Sequence, residues 1–101
     1  MGEKRDAYVN KIKGQLDEWN ARIDRLEEQA KVTKAEAEEQ ARERVGRLHA
    51  KRAELEAKLQ ELQAAGADAW EIAKGGVEAA ERELAAAFDD AKSRFAGGNA
   101  D

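Results

Sequence analysis

The chain has 101 residues, enough for one small domain; 40% of them are charged and the formal net charge is −4. It has no Cys, which excludes disulfides, thiolate nucleophiles and cysteine metal sites, and it has no Pro. Ala, Glu, Arg, Lys and Leu dominate, the composition of coiled coils and long helices when the apolar residues recur at a helical period.

The N-terminal run Met1-Gly2-Glu3-Lys4-Arg5-Asp6 has no apolar stretch behind it, so it reads as neither a signal peptide nor a membrane span. Asp6 stands where a myristoylation signal beginning at Gly2 would want Ser or Thr. These features predict a cytoplasmic protein.

The first helix is predicted over about residues 4–65, with Asp6 as its candidate N-cap. Its apolar seam is Val9, Ile12, Leu16, Trp19, Ile23, Leu26, Ala30, Thr33 and Ala37, in alternating steps of three and four. After a stutter through Ala41 the seam resumes at Val45, Leu48, Leu55, Leu59 and Leu62. Acid-before-base pairs four residues apart line the other face: Glu18 and Arg22, Glu27 and Lys31, Glu38 and Arg42, Glu43 and Arg47, Glu54 and Lys58. A rival interpretation breaks this helix near Thr33, where Thr33-Lys34-Ala35-Glu36 matches a capping box, and gives a compact three-helix bundle. No Gly or Pro marks that site and the seam keeps its phase across it, so a continuous helix is the preferred expectation.

A clear break follows at Ala64-Ala65-Gly66-Ala67-Asp68. Gly66 suits the left-handed position at a helix end, and Asp68 with Glu71 resembles a capping box. The second helix is predicted over about 69–95, with Trp70, Ala73, Val77, Ala80, Leu84, Ala87 or Phe88, Ala91 and Phe95 on its seam and Gly75-Gly76 as a weak spot or a place of close approach. Residues 97–101 read as a flexible tail.

The predicted fold class is therefore all-α: a long helix and a shorter antiparallel one, forming a coiled-coil helical hairpin over residues 1–96. A first helix of that length spans ~90 Å at 1.5 Å per residue, and its partner covers less than half of it. Leu16, Trp19, Ile23 and Leu26 are then left without a partner inside the chain, so they are the predicted oligomer interface, and the expected partner is a second copy. Melting should accordingly depend on concentration.

No residues point to a catalytic, cofactor or metal site. His49 is the single histidine, with Gly46 rather than Glu three residues before it. No carboxylate pair sits in an apolar segment, and Gly75-Gly76 lacks the spacing of a phosphate loop. Arg42, Arg44, Arg47, Lys51 and Arg52 form a basic cluster that could touch phosphates, but its flanks are acidic and no aromatic lies among them. Residues 66–101 carry four basic and eight acidic groups, which argues against nucleic acid or anionic lipid as a partner.

Two Trp-centred stretches carry a resemblance. Lys4-Arg5-Asp6-Ala7-Tyr8-Val9, Gln15-Leu16-Asp17-Glu18-Trp19-Asn20 with Ile23, and Asp68-Ala69-Trp70-Glu71 with Gly76-Val77-Glu78 resemble a group of small bacterial coiled-coil proteins, some described as stress-response proteins, cyanobacterial members among them. Ala79 and Ala80 stand where that group often has a further aromatic. The resemblance implies no catalytic residue and no established activity. Composition and pattern together suggest a non-enzymatic, self-associating structural or scaffold protein, and the resemblance adds a stress link. The alternative is a peripheral membrane protein that uses the amphipathic second helix.

Overall fold

The seam residues form three helices. The structure, a computed structural model, describes residues 2–31 and 35–100, with side chains placed over 3–29 and 39–93. Helix α1 is Gly2–Lys31, α2 is Ala35–Ala64 and α3 is Trp70–Ala100. Among the described residues there is no strand. The contacts between the helices fit a helical bundle measuring 52 × 18 × 17 Å. A helix of 30 residues is ~45 Å long at 1.5 Å per residue, so each element runs most of the long axis.

A single helix is expected over 4–65; the described residues fall in two helices, α1 and α2, on either side of residues 32–34, and the two lie side by side. The Arg5 guanidinium donates to the Ala65 carbonyl, and His49 Nε2 lies 2.9 Å from Glu27 Oε1. Moving forward along α1 therefore moves backward along α2, the antiparallel sense. The physical reason is the α1 stripe: folding back covers it. The capping box at Thr33 lies outside the described residues, as do the side chains of Ala30, Ala37 and Phe95.

The α2–α3 half follows the sequence expectation closely. Lys51 Nζ lies 3.5 Å from Glu83 Oε1, and a Cβ added at Gly76 would lie 3.6 Å from Lys58 Cδ. Seven residues forward in α2 are seven residues back in α3, an antiparallel register. That distance at Gly76 is ordinary van der Waals contact, so the Gly pair does not serve a close helix approach.

The ends of the helices differ from the expected caps. Gly66 has no positive φ; α2 closes instead through a hydrogen bond that the Ala65 amide donates to the Leu62 carbonyl at 3.2 Å, a tightened last turn. The Ala69 amide then bonds the Gly66 carbonyl, and the first full helical bond of α3 runs from the Ala73 amide to Ala69. Ala69, not Asp68, therefore holds the N-cap position. Likewise α1 starts at Gly2, which puts Asp6 inside the helix, and α3 continues to Ala100, through most of the expected tail.

The core is the seam itself. Val9, Ile12, Leu16, Trp19, Ile23 and Leu26 of α1 join Leu48, Leu55, Leu59 and Leu62 of α2 and Val77, Ala80, Leu84 and Ala91 of α3 in one buried cluster. Ala41 and Val45 form a smaller one toward the start of α2. No polar or charged residue is buried among the described residues, so the core relies on apolar burial and shape.

Leu59→Asp should lower stability by several kcal/mol, because it places an unpaired carboxylate at a site only 3% exposed. Glu56→Ala, which removes a 2.8 Å ion pair with Arg52 at the surface, should cost at most about 1 kcal/mol. Urea denaturation of both variants checks the phase of α2; equal midpoints would contradict it.

Candidate functional site: the groove between α1 and α3

The four residues expected at an oligomer interface are covered within the chain. Leu16 is 6% exposed, Trp19 8%, Ile23 1% and Leu26 3%. The Trp19 and Phe88 rings meet edge to face, with centroids 5.4 Å apart and planes at 68°. The stripe thus packs into one buried cluster with residues of α2 and α3. The expected position of Trp70 next to the hairpin turn is observed: it opens α3 just after the turn.

A second aromatic pair closes the other end. Tyr8 and Trp70 stack edge to face at 5.9 Å and 76°. The Arg5 guanidinium lies 4.9 Å from the Trp70 ring centroid and Lys74 Nζ 5.3 Å from that of Tyr8. By bonding the Ala65 carbonyl just past the end of α2, Arg5 also sets a cation at the negative end of that helix. One side chain of α1 therefore touches both α2's end and α3's start.

The α1–α3 contacts run in parallel, Tyr8 to Trp70 and Trp19 to Phe88, with Gln15 between them. The Gln15 amide, its nitrogen turned toward α3, donates to Glu81 Oε2 at 2.9 Å. Of the three helix pairs, α1 and α3 approach least closely, and a groove lies between them. Its first part, about 270 Å³, is lined by Tyr8, Lys11, Ile12, Glu78, Glu81, Arg82 and Ala85. Its second part, about 560 Å³, has Trp19, Leu26, Ala85 and Phe88 as apolar lining and Arg22, Arg25, Gln29, Asp89 and Lys92 as polar lining. Ala85 borders both. Arg22 sits 5.0 Å from the Trp19 centroid and 3.9 Å from Glu18.

The other sequence features are surface pairs. Within the basic cluster, Lys51 reaches Glu54 and Glu83, and Arg52 pairs with Glu56. Of the expected pairs four residues apart, Glu18–Arg22 forms; Lys58 turns instead to Glu61 at 3.4 Å. Exposed His49 joins α2 to Glu27 of α1, a link between distant segments that no local pattern indicated. Among the described residues no three His, Cys, Asp or Glu side chains gather as a metal site would require.

Tyr8 is the only tyrosine, and burial raises its pKa above the usual 10.0, with Glu78 and Glu81 adding to the effect. A raised folded pKa means that the folded state holds the proton more tightly. This contribution is therefore intact below pH about 10 and is lost as pH rises through the folded value. Absorbance at the phenolate band should titrate above 10 in the native protein and near 10 in concentrated urea. Identical curves would mean that Tyr8 is not packed between α1 and α3.

No family model matches this chain, and no curated protein or solved structure does.

Proposed function

We propose that the chain is a non-enzymatic helical module, a structural or scaffold protein whose core is complete in one copy and which associates through its outer faces. The observation that carries this reading is the burial of Leu16, Trp19, Ile23 and Leu26 against the chain's own α2 and α3. The described titratable groups support it too, since they are spread along helix surfaces in pairs rather than gathered in an apolar pocket. Self-association then uses an outer face rather than that stripe. A stress-linked role rests on the Trp-centred motifs alone.

The peripheral-membrane alternative needs the apolar face of the last helix. Val77, Ala80, Leu84 and Ala91 are buried in the bundle, and among the described residues Ile72, 81% exposed, is the one large hydrophobic side chain left outside. No described helix is long and apolar enough to cross a membrane. These observations favour the scaffold reading.

The double substitution Trp19→Lys with Ile23→Lys tests it. In a core closed within one chain, two buried lysines remove a large share of the ~5–15 kcal/mol typical of a domain. Circular dichroism should then show loss of the cooperative melt along the whole chain. A double variant that keeps helical residues 37–95 while an oligomeric parent becomes a monomer would overturn the reading and make the stripe a subunit interface.

A further inference from the structure

We infer that the outer face of α2 is a second coiled-coil seam, on which α2 of a second copy docks antiparallel. This names the face for the association proposed above and rests on that reading. Gly46, Ala50, Ala53, Ala57, Gln60 and Ala64 follow one another in alternating steps of four and three, the spacing of a coiled-coil seam. They turn away from buried Val45, Leu48, Leu55, Leu59 and Leu62, and each of them is exposed. A Cβ added at Gly46 would meet nothing within 4 Å, so neither α1 nor α3 covers that part of the face. All but Gln60 are Gly or Ala, and small side chains at the contact let two helices approach closely. The other helices lack such a seam. α1 turns out only Ala7, Gly14 and Ala21, one per heptad, and on α3 the same spacing through Ile72, Gly75, Ala79 and Ala86 is broken by Arg82 and Asp89.

Small residues alone select no partner; the charges beside them do. Arg47, Glu54 and Glu61 border the seam on one side, and Arg42, His49 and Glu56 on the other. A parallel second copy would bring the two rows together, with Arg42 against Arg47 and Glu56 against Glu61, like charge on like. An antiparallel copy brings each row against itself. One register stacks Gly46 on Ala57 and Ala50 on Ala53 of the second copy. It sets Arg47 against Glu54 and His49 against Glu56, each pair occurring twice by symmetry, and no like charges meet along either row. A slip of one heptad puts Glu54 on Glu54 and Glu56 on Glu56; the opposite slip puts Arg47 on Arg47 and His49 on His49. The favoured register also pairs residues 39–64 along their full length, a contact about 40 Å long. His49 and Glu56 already have partners in their own chain, Glu27 and Arg52, so Arg47 and half-exposed Glu54 are the pair that fixes the register.

Arg47 and Glu54 stand two turns apart on one helix, too far to meet within a chain, so exchanging their charges reports on contact between copies. Sedimentation equilibrium of the unaltered chain, at concentrations up to about 1 mM, should show a monomer–dimer equilibrium. Arg47→Glu should weaken dimerisation about tenfold, and Arg47→Glu with Glu54→Arg should restore it, both with the parent's helicity by circular dichroism. A chain that stays monomeric over that range overturns the inference, and so does a swap that fails to restore the dimer. Association that Arg47→Glu leaves unaltered also overturns it; another outer face is then in use, and the reading on which the inference rests survives. The double-lysine experiment at Trp19 and Ile23 tests a core closed within one copy and requires no dimer, so the two ideas fail separately.

Discussion

The structure depends on one requirement: the apolar stripe of α1 must be covered. Val9, Ile12, Leu16, Trp19, Ile23 and Leu26 are all buried, and each large side chain taken out of water contributes roughly 1.5–3 kcal/mol. The α2–α3 pair alone would leave that stripe wet along its whole length. Folding α1 back over the pair satisfies it within the chain. Trp19 on Phe88 and Tyr8 on Trp70 then fix where along the axis α1 comes to rest. The polar contacts around the core are weaker but directional. Arg5 on the end of α2, His49 on Glu27 and Lys51 on Glu83 each join segments far apart in sequence; the first two report the α1–α2 register and the third the α2–α3 register.

That arrangement also leaves one pair of helices apart. The α2–α3 pair packs closely, α1 leans on α2, and α1 and α3 stay apart. Two cavities lie between them, and Ala85 of α3 borders both.

Much of this is legible in the sequence. Every seam residue of α1 and α2 whose side chain is described is buried, because periodicity reports which face turns inward wherever the chain goes. The turn between Ala64 and Trp70 is legible for the same reason: a Gly with a following acid interrupts the pattern. The separation of α1 from α2 is not. The seam keeps one phase from Leu26 to Ala37 with no Gly or Pro between, so local pattern favours one long helix. The difference lies in pairings such as Trp19 with Phe88, between residues far apart in the chain. The groove is illegible on the same ground, since its two walls belong to helices that share no local signal. Capping failed for a smaller reason: Asp68 is one residue from the position that the backbone hydrogen bonds assign to Ala69.

The fold-back of α1 onto α2 is most directly tested by one distance. The chain has no Cys, so Asp17→Cys with Ala57→Cys, both at exposed positions, places two spin labels without further change. Electron–electron resonance is read on doubly labelled chains diluted into an excess of unlabelled protein, so that only pairs within one chain contribute. Helices packed side by side in a bundle 18 × 17 Å across put the labels within about 30 Å of each other. A continuous helix would separate residues 17 and 57 by about 60 Å, and that longer distance, or a short one that disappears on dilution, would contradict a core closed within a single chain.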